Sequence, residues 1–195
     1  MSSKYQSSIE WYAPRQVWEP IHARVDESTE WYEAQLDRAE AKADILNQGN
    51  VGRDHTIYGF IAEAVVLNVF PHLERFDGET SDLHGYGKVF DVCAANIRTE
   101  PSPNYEIIVY GRKRPHATTD LHYYAVRRNH PDYYLIGHTN SIRFWHLAHD
   151  EPGDHMAKTE FYDGGAGLTF DHFTQLPIPE SFNHVVPAIE VFGQG

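Results

Sequence analysis

Three acidic side chains stand where a folded chain would not place them without reason. Glu63 interrupts the apolar run GFIAEAVVLNVF, Asp91 lies inside KVFDVCAANI, and Glu106 sits near the start of YEIIVY. An acid among apolar neighbours is costly to bury unless it is partnered. Carboxylates on rigid elements are also hard oxygen ligands of the kind magnesium or manganese prefers. Held beside a cation, such a metal has the equipment for cutting a phosphodiester. The cation would come from Gly111-Arg112-Lys113-Arg114, which with Arg127 and Arg128 forms the dense basic patch of the chain. Glu63, Asp91, Glu106 and Lys113 are therefore the candidate catalytic residues, the three acids being the candidate metal ligands. Arg112, Lys113, Arg114, Arg127 and Arg128 are the candidate contacts to nucleic-acid phosphate.

The elements that must position these groups follow from periodicity. Trp31, Gln35, Leu36, Ala39, Ala43 and Leu46 recur at helical spacing after a candidate N-cap at Ser28, and Gly49 stops the helix. A second helix is expected from Asp54 or Thr56 to Pro71, apolar on nearly every side and so buried against a sheet, with Glu63 at its middle. Glu74–Gly87 reads as a polar loop. Lys88–Ile97 and Tyr105–Tyr110 read as strands, followed by an irregular or helical piece around Thr118–Tyr123 and a segment Tyr124–Arg127. Asp132–Gly137 and Ser141–Leu147 read as two strands joined by a tight turn at His138–Asn140, with weak strand candidates at Lys158–Tyr162 and Val185–Phe192. In the second strand Glu106, Ile108, Tyr110 and Arg112 share one face and Lys113 falls on the other, unless Gly111 marks a bulge or strand end that re-aims it.

Helices followed by strands, without regular alternation, point to an α+β fold. The expected organisation is a single domain: an N-terminal arm and helix over 1–50, a core over 51–150 and a loop-rich extension over 151–195. Trp11, Tyr12 and Trp18 in the arm would pack on the domain or on a second subunit in a homo-oligomer.

With 28 acidic against 16 basic residues the net charge is −12, which argues against broad, non-specific gripping of duplex DNA but leaves room for a local basic cleft. The single cysteine, Cys93, excludes an internal disulfide and a cysteine-built zinc site, and a reducing cytoplasmic setting is expected. No apolar run follows Lys4 and no stretch is long enough to span a bilayer, so neither a signal peptide nor a membrane segment is expected. The 13 histidines form no helical H-x-x-x-H pair and read as surface or hydrogen-bonded groups.

From Thr56 to Ala148 the order of these pieces resembles the PD-(D/E)XK, or restriction-endonuclease-like, nucleases. GFIAEAVVLNVF is similar to that family's first core helix, FDV at 90–92 to its first motif aspartate on a strand, and IIVYGRKR to its second motif strand. The resemblance implies a central mixed sheet flanked by helices, magnesium or manganese as cofactor, and DNA as substrate in a bacterial or phage-infected cytoplasm. Carried over by position, Glu63 is the helix carboxylate and Asp91 the metal-bridging aspartate. The acid-x-lysine triplet departs from the pattern. One register places Ile108 and Tyr110 at its acid and lysine positions, which breaks the site. The other takes Glu106 as the acid and Arg112, Lys113 or Arg114 as a displaced cation. The competing expectation is a catalytically inactive, oligomeric relative acting as a binding, structural or inhibitory component of a phage.

Overall fold

The computed structural model describes residues 19–46, 50–76, 81–151 and 165–192. Trp11, Tyr12, Trp18 and the strand candidate at 158–162 lie outside them. In IHARV the residues Ile21, Ala23 and Val25 alternate with polar ones and are buried, which makes β1 (Ile21–Val25) a strand with one apolar face. Helix α1 (Glu30–Leu46) follows, and its first turn is capped by Thr29, whose hydroxyl accepts from the Tyr32 N–H. Ser28, the expected cap, instead donates its N–H and its hydroxyl to the Asp26 carboxylate. Helix α2 (Asn50–Val69) begins earlier than its apolar pattern suggests and buries Ile57, Ile61, Val65 and Val69.

The expected polar loop is in part a hairpin. β2 (Glu74–Arg75) pairs with β3 (Leu83–Gly85), and β3 turns through Tyr86 and Gly87 into β4 (Lys88–Asn96). Both turn residues have positive φ, 52° and 69°, the backbone that matches the twist of a two-residue hairpin. β5 (Glu106–Tyr110) ends in a 3-10 turn, Gly111–His116, and β6 (Leu121–Asn129) and β7 (Asp132–Asn140) form a long hairpin. The strand then stops, because the Asn140 carbonyl oxygen of the side chain accepts from the N–H groups of Ile142 and Arg143. Ser141–Leu147 is therefore not a strand but helix α3, and residues 138–140 belong to β7 rather than to a turn. Its β-branched and aromatic composition yields to the cap. β8 (His149–Glu151), β9 (Gly165–Thr169) and β10 (Ile189–Phe192) complete the chain.

The architecture is α+β, with a mixed seven-stranded sheet in the order β10-β1-β7-β6-β4-β3-β2. β4 and β6 run parallel and the other neighbours are antiparallel. β1 lies between β10 and β7, so the segments read from sequence as an arm and a tail both supply strands to the main sheet. A smaller sheet, β5-β9-β8, makes another layer. Alternation along β4 and β6 divides the interior. Phe90, Tyr124 and Val126 join the core against α2, while Tyr123 and Ala125 join Ile107, Val109, Leu168, Phe170 and α3's Phe144 on the other side. Gly137 has φ 121°, and a Cβ there would stand 2.5 Å from the Thr174 carbonyl oxygen, so this close backbone bridge requires glycine. Among the described residues no helix is long and apolar enough to cross a membrane.

Candidate functional site

Glu63 projects from the middle of α2 and is 6% exposed. Its carboxylate accepts from Arg75 Nη1 on β2 at 3.0 Å, and Lys42 on α1 adds a second favourable charge. These two cations do not prevail. Burial first, and then the neighbouring Asp82, push the Glu63 carboxyl up to about 8.

Asp82 is the acid that the sequence reading missed. It stands immediately before β3, where its backbone N–H donates to the Phe90 carbonyl at 2.7 Å and its Oδ2 accepts from the Val92 N–H at 2.7 Å. The carboxyl thus clasps the edge of β4 just beyond the last β3 pair. Burial and then Asp91 push it up to about 6, against the Val92 hydrogen bond and Lys113. A hydrogen-bonding contact with the Asp91 carboxyl also favours the protonated form. Asp82 therefore links Glu63, on the α2 side, to Asp91, whose register neighbours Val89 and Cys93 pack on the opposite side.

Asp91 is 6% exposed and accepts from Lys113 Nζ. The 3-10 turn after β5 brings this lysine to Asp91 on β4, so Gly111 re-aims it by ending the strand rather than by a bulge. Burial works against the Lys113 charge, but Cys93, Asp91 and Asp82 together outweigh it and hold the ammonium protonated well above its ordinary range. Burial pushes the Cys93 thiol up to about 12. That group is neutral near pH 7, so the carboxylates do the holding.

The remaining candidates have other places. Glu106 stands on β5 in the small sheet, paired with Thr169, and its backbone carbonyl accepts from Arg127. Arg127 lies four residues along β6 from Tyr123, the register partner of Asp91, or on the order of 13 Å at strand rise. The structure thus sets Glu106 on a different sheet from Asp91, and Asp82 stands nearer to it. Arg127 is itself corrected as a phosphate contact. It is 4% exposed, donates to the carbonyl oxygens of Cys93, Val126 and Glu106, and lies over the Phe170 ring. Arg128 donates to the Tyr133 hydroxyl and lies over Tyr58, which commits it to packing. Arg114 is exposed beside Lys113, with its guanidinium 5.7 Å from the centre of the Trp145 ring. The Arg112 side chain lies outside the described residues.

The donors have the right chemistry for a hard cation, since magnesium is commonly held by one or two carboxylates while keeping several waters. Asp82 and Asp91 would be those two. Among the described residues, however, no three His, Cys, Asp or Glu side chains group closely enough to enclose an ion. Comparisons with family models, with curated proteins and with solved structures find no match to this chain.

Proposed function

We propose that the protein is a metal-dependent nuclease of the PD-(D/E)XK type, built on a restriction-endonuclease-like core and acting on DNA. The single observation that supports this reading is the line of acids from buried Glu63 through half-buried Asp82 to buried Asp91, with Lys113 on the last of them. Acids that strain against one another at neutral pH mark a place that gains from a divalent cation. Asp82 and Asp91 would hold magnesium or manganese, which when bound supplies Lewis-acid polarisation of the phosphate. Lys113 stabilises the charge that develops on the phosphate as water attacks phosphorus, releasing its proton to solvent, and the P–O bond to the sugar breaks, the sugar oxygen taking a proton from solvent. Glu63, raised by burial and bonded to Arg75, acts on Asp82 only through its charge.

The test is cleavage of plasmid and flap-bearing DNA with magnesium or manganese. Wild type is expected to cut, and Asp91→Asn, Asp82→Asn and Lys113→Ala are each expected to lower the rate about a hundredfold or more. Cleavage that survives Asp91→Asn overturns the assignment.

A catalytically silent, oligomeric module is the second reading. The absence of a three-ligand group among the described residues and the net charge of −12 favour it. It predicts no magnesium binding by calorimetry, no cleavage, and a stable oligomer by light scattering.

A further inference from the structure

We infer that Arg114 and Trp145 form a stacking platform for an unpaired nucleobase beside the carboxylates, so that the favoured substrate is nucleic acid with a single-stranded segment at the cleavage point. This rests on the nuclease reading above and names its substrate class. Trp145 is half-buried on α3 and held from two sides. Its ring meets Phe144 and Tyr123 edge-on, with centroids 5.1 and 6.4 Å away, and its indole N–H donates to the Tyr123 hydroxyl at 3.0 Å. The polar edge of the indole is therefore spent inside the protein, and a π face is left for the exposed Arg114 guanidinium to cover.

This pair adjoins the acids by two routes. Tyr123, which anchors the indole, is the register partner of Asp91 across β6 and β4 and feels the charges of both Asp91 and Lys113. Arg114 directly follows Lys113, which holds Asp91. A strand whose phosphate lies at Asp91 therefore brings its adjacent base within reach of the indole face.

Charge decides between duplex and unpaired strand. A grip on duplex phosphates needs several free cations. Here Arg127 is sealed under its carbonyl partners, Arg128 is committed to Tyr133 and Tyr58, and the chain carries −12 overall. Stacking supplies affinity without net charge, and only an unpaired base offers its flat face. Arg114, planar and doubly able to stack or to pair with phosphate, can close over the far side of that base or swing to the backbone.

The experiment compares three labelled oligonucleotides in EDTA by fluorescence anisotropy: single strand, blunt duplex of the same length, and duplex with a single-stranded flap. Tryptophan quenching is the second readout, and cleavage of the same three in magnesium is scored separately. Single strand and flap are expected to bind about tenfold more tightly than blunt duplex, the worth of one stacked base. Trp145→Leu should erase that ratio, Trp145→Phe should keep most of it, and Arg114→Gln should weaken all binding with a shallower salt dependence. If Trp145→Leu does not fold, Trp145→Phe carries the test: it should lose the quenching of tryptophan fluorescence by single strand, and quenching as large as in wild type overturns the platform. Equal binding of all three by wild type, or an unchanged ratio in Trp145→Leu, overturns the platform. Cleavage of blunt duplex as fast as flap, dependent on Asp91, would sink the platform and leave the nuclease reading standing. Base-selective binding without cleavage would do the reverse.

Discussion

Two cations, Arg127 and Lys113, are buried to different depths along the same face of β4 and β6, and they are neutralised in opposite ways. Among the described residues Arg127 has no carboxylate partner. Its guanidinium is divided among the carbonyl oxygens of Cys93, Val126 and Glu106, one of them in the small sheet, so it fastens the two sheets together. Burial lowers it to about 10, so it stays charged near neutral pH. Lys113 is matched to Asp91 and influenced by Asp82, with acids to spare, since Asp82 also presses on Glu63. A buried charge shared among neutral carbonyls is architecture. One set among competing acids can exchange its partner for a ligand.

Substitution should separate the two. Arg127→Met leaves three carbonyls without their donor and should cost about 4 kcal/mol in urea unfolding, with cleavage per folded molecule retained. Loss of cleavage at full stability would erase the distinction. Lys113→Met should cost less, about 2 kcal/mol, because the site is partly open to water, while cleavage falls far more than stability. A stability loss as large as that of Arg127→Met would make Lys113 architecture too.

The smallest effect is in the pH profile, where a third polar group sharpens the contrast. His122 and His138 share a hydrogen bond between their Nδ1 atoms at 2.9 Å, and burial lowers them to about 4 and about 3. Imidazoles depressed in the folded state stabilise it above the unfolded value of about 6.5, and that contribution is lost as pH falls through 4 and 3. Glu63 and Asp82 are raised, so what they contribute is present below the ordinary carboxylate range and lost as pH rises through about 6 and about 8. His138→Leu should therefore flatten the acid limb of stability against pH, and Glu63→Gln the alkaline limb. A shift of both limbs by either variant would contradict the separation of the clusters.

The frame of the site was legible because its signals are local. The apolar wrap of α2 around Glu63 and the alternation in β4 and β5 can be read residue by residue. Even the displacement of Lys113 was announced by Gly111. Asp82 was not, since it occupies a stretch that scores as polar loop, and its partners Val92 and Asp91 are supplied by a hairpin turning on Tyr86-Gly87 rather than on a stronger Asn-Gly signal. β1 was hidden beside the prolines of the N-terminal segment, and α3 by strand-like residues that its cap overrules. Glu106 and Arg127 misled because sequence shows their charge but not which sheet they join or which carbonyls they meet.

Asp82 also has a consequence for the edge of β4. β3 stops pairing at Phe90, and beyond that point β4 has no strand neighbour on that side among the described residues. The Val92 amide there is already taken by the Asp82 carboxylate. The same side chain that crowds the acids together thus occupies a free amide of the sheet, so replacing it to silence the site would also bare that amide.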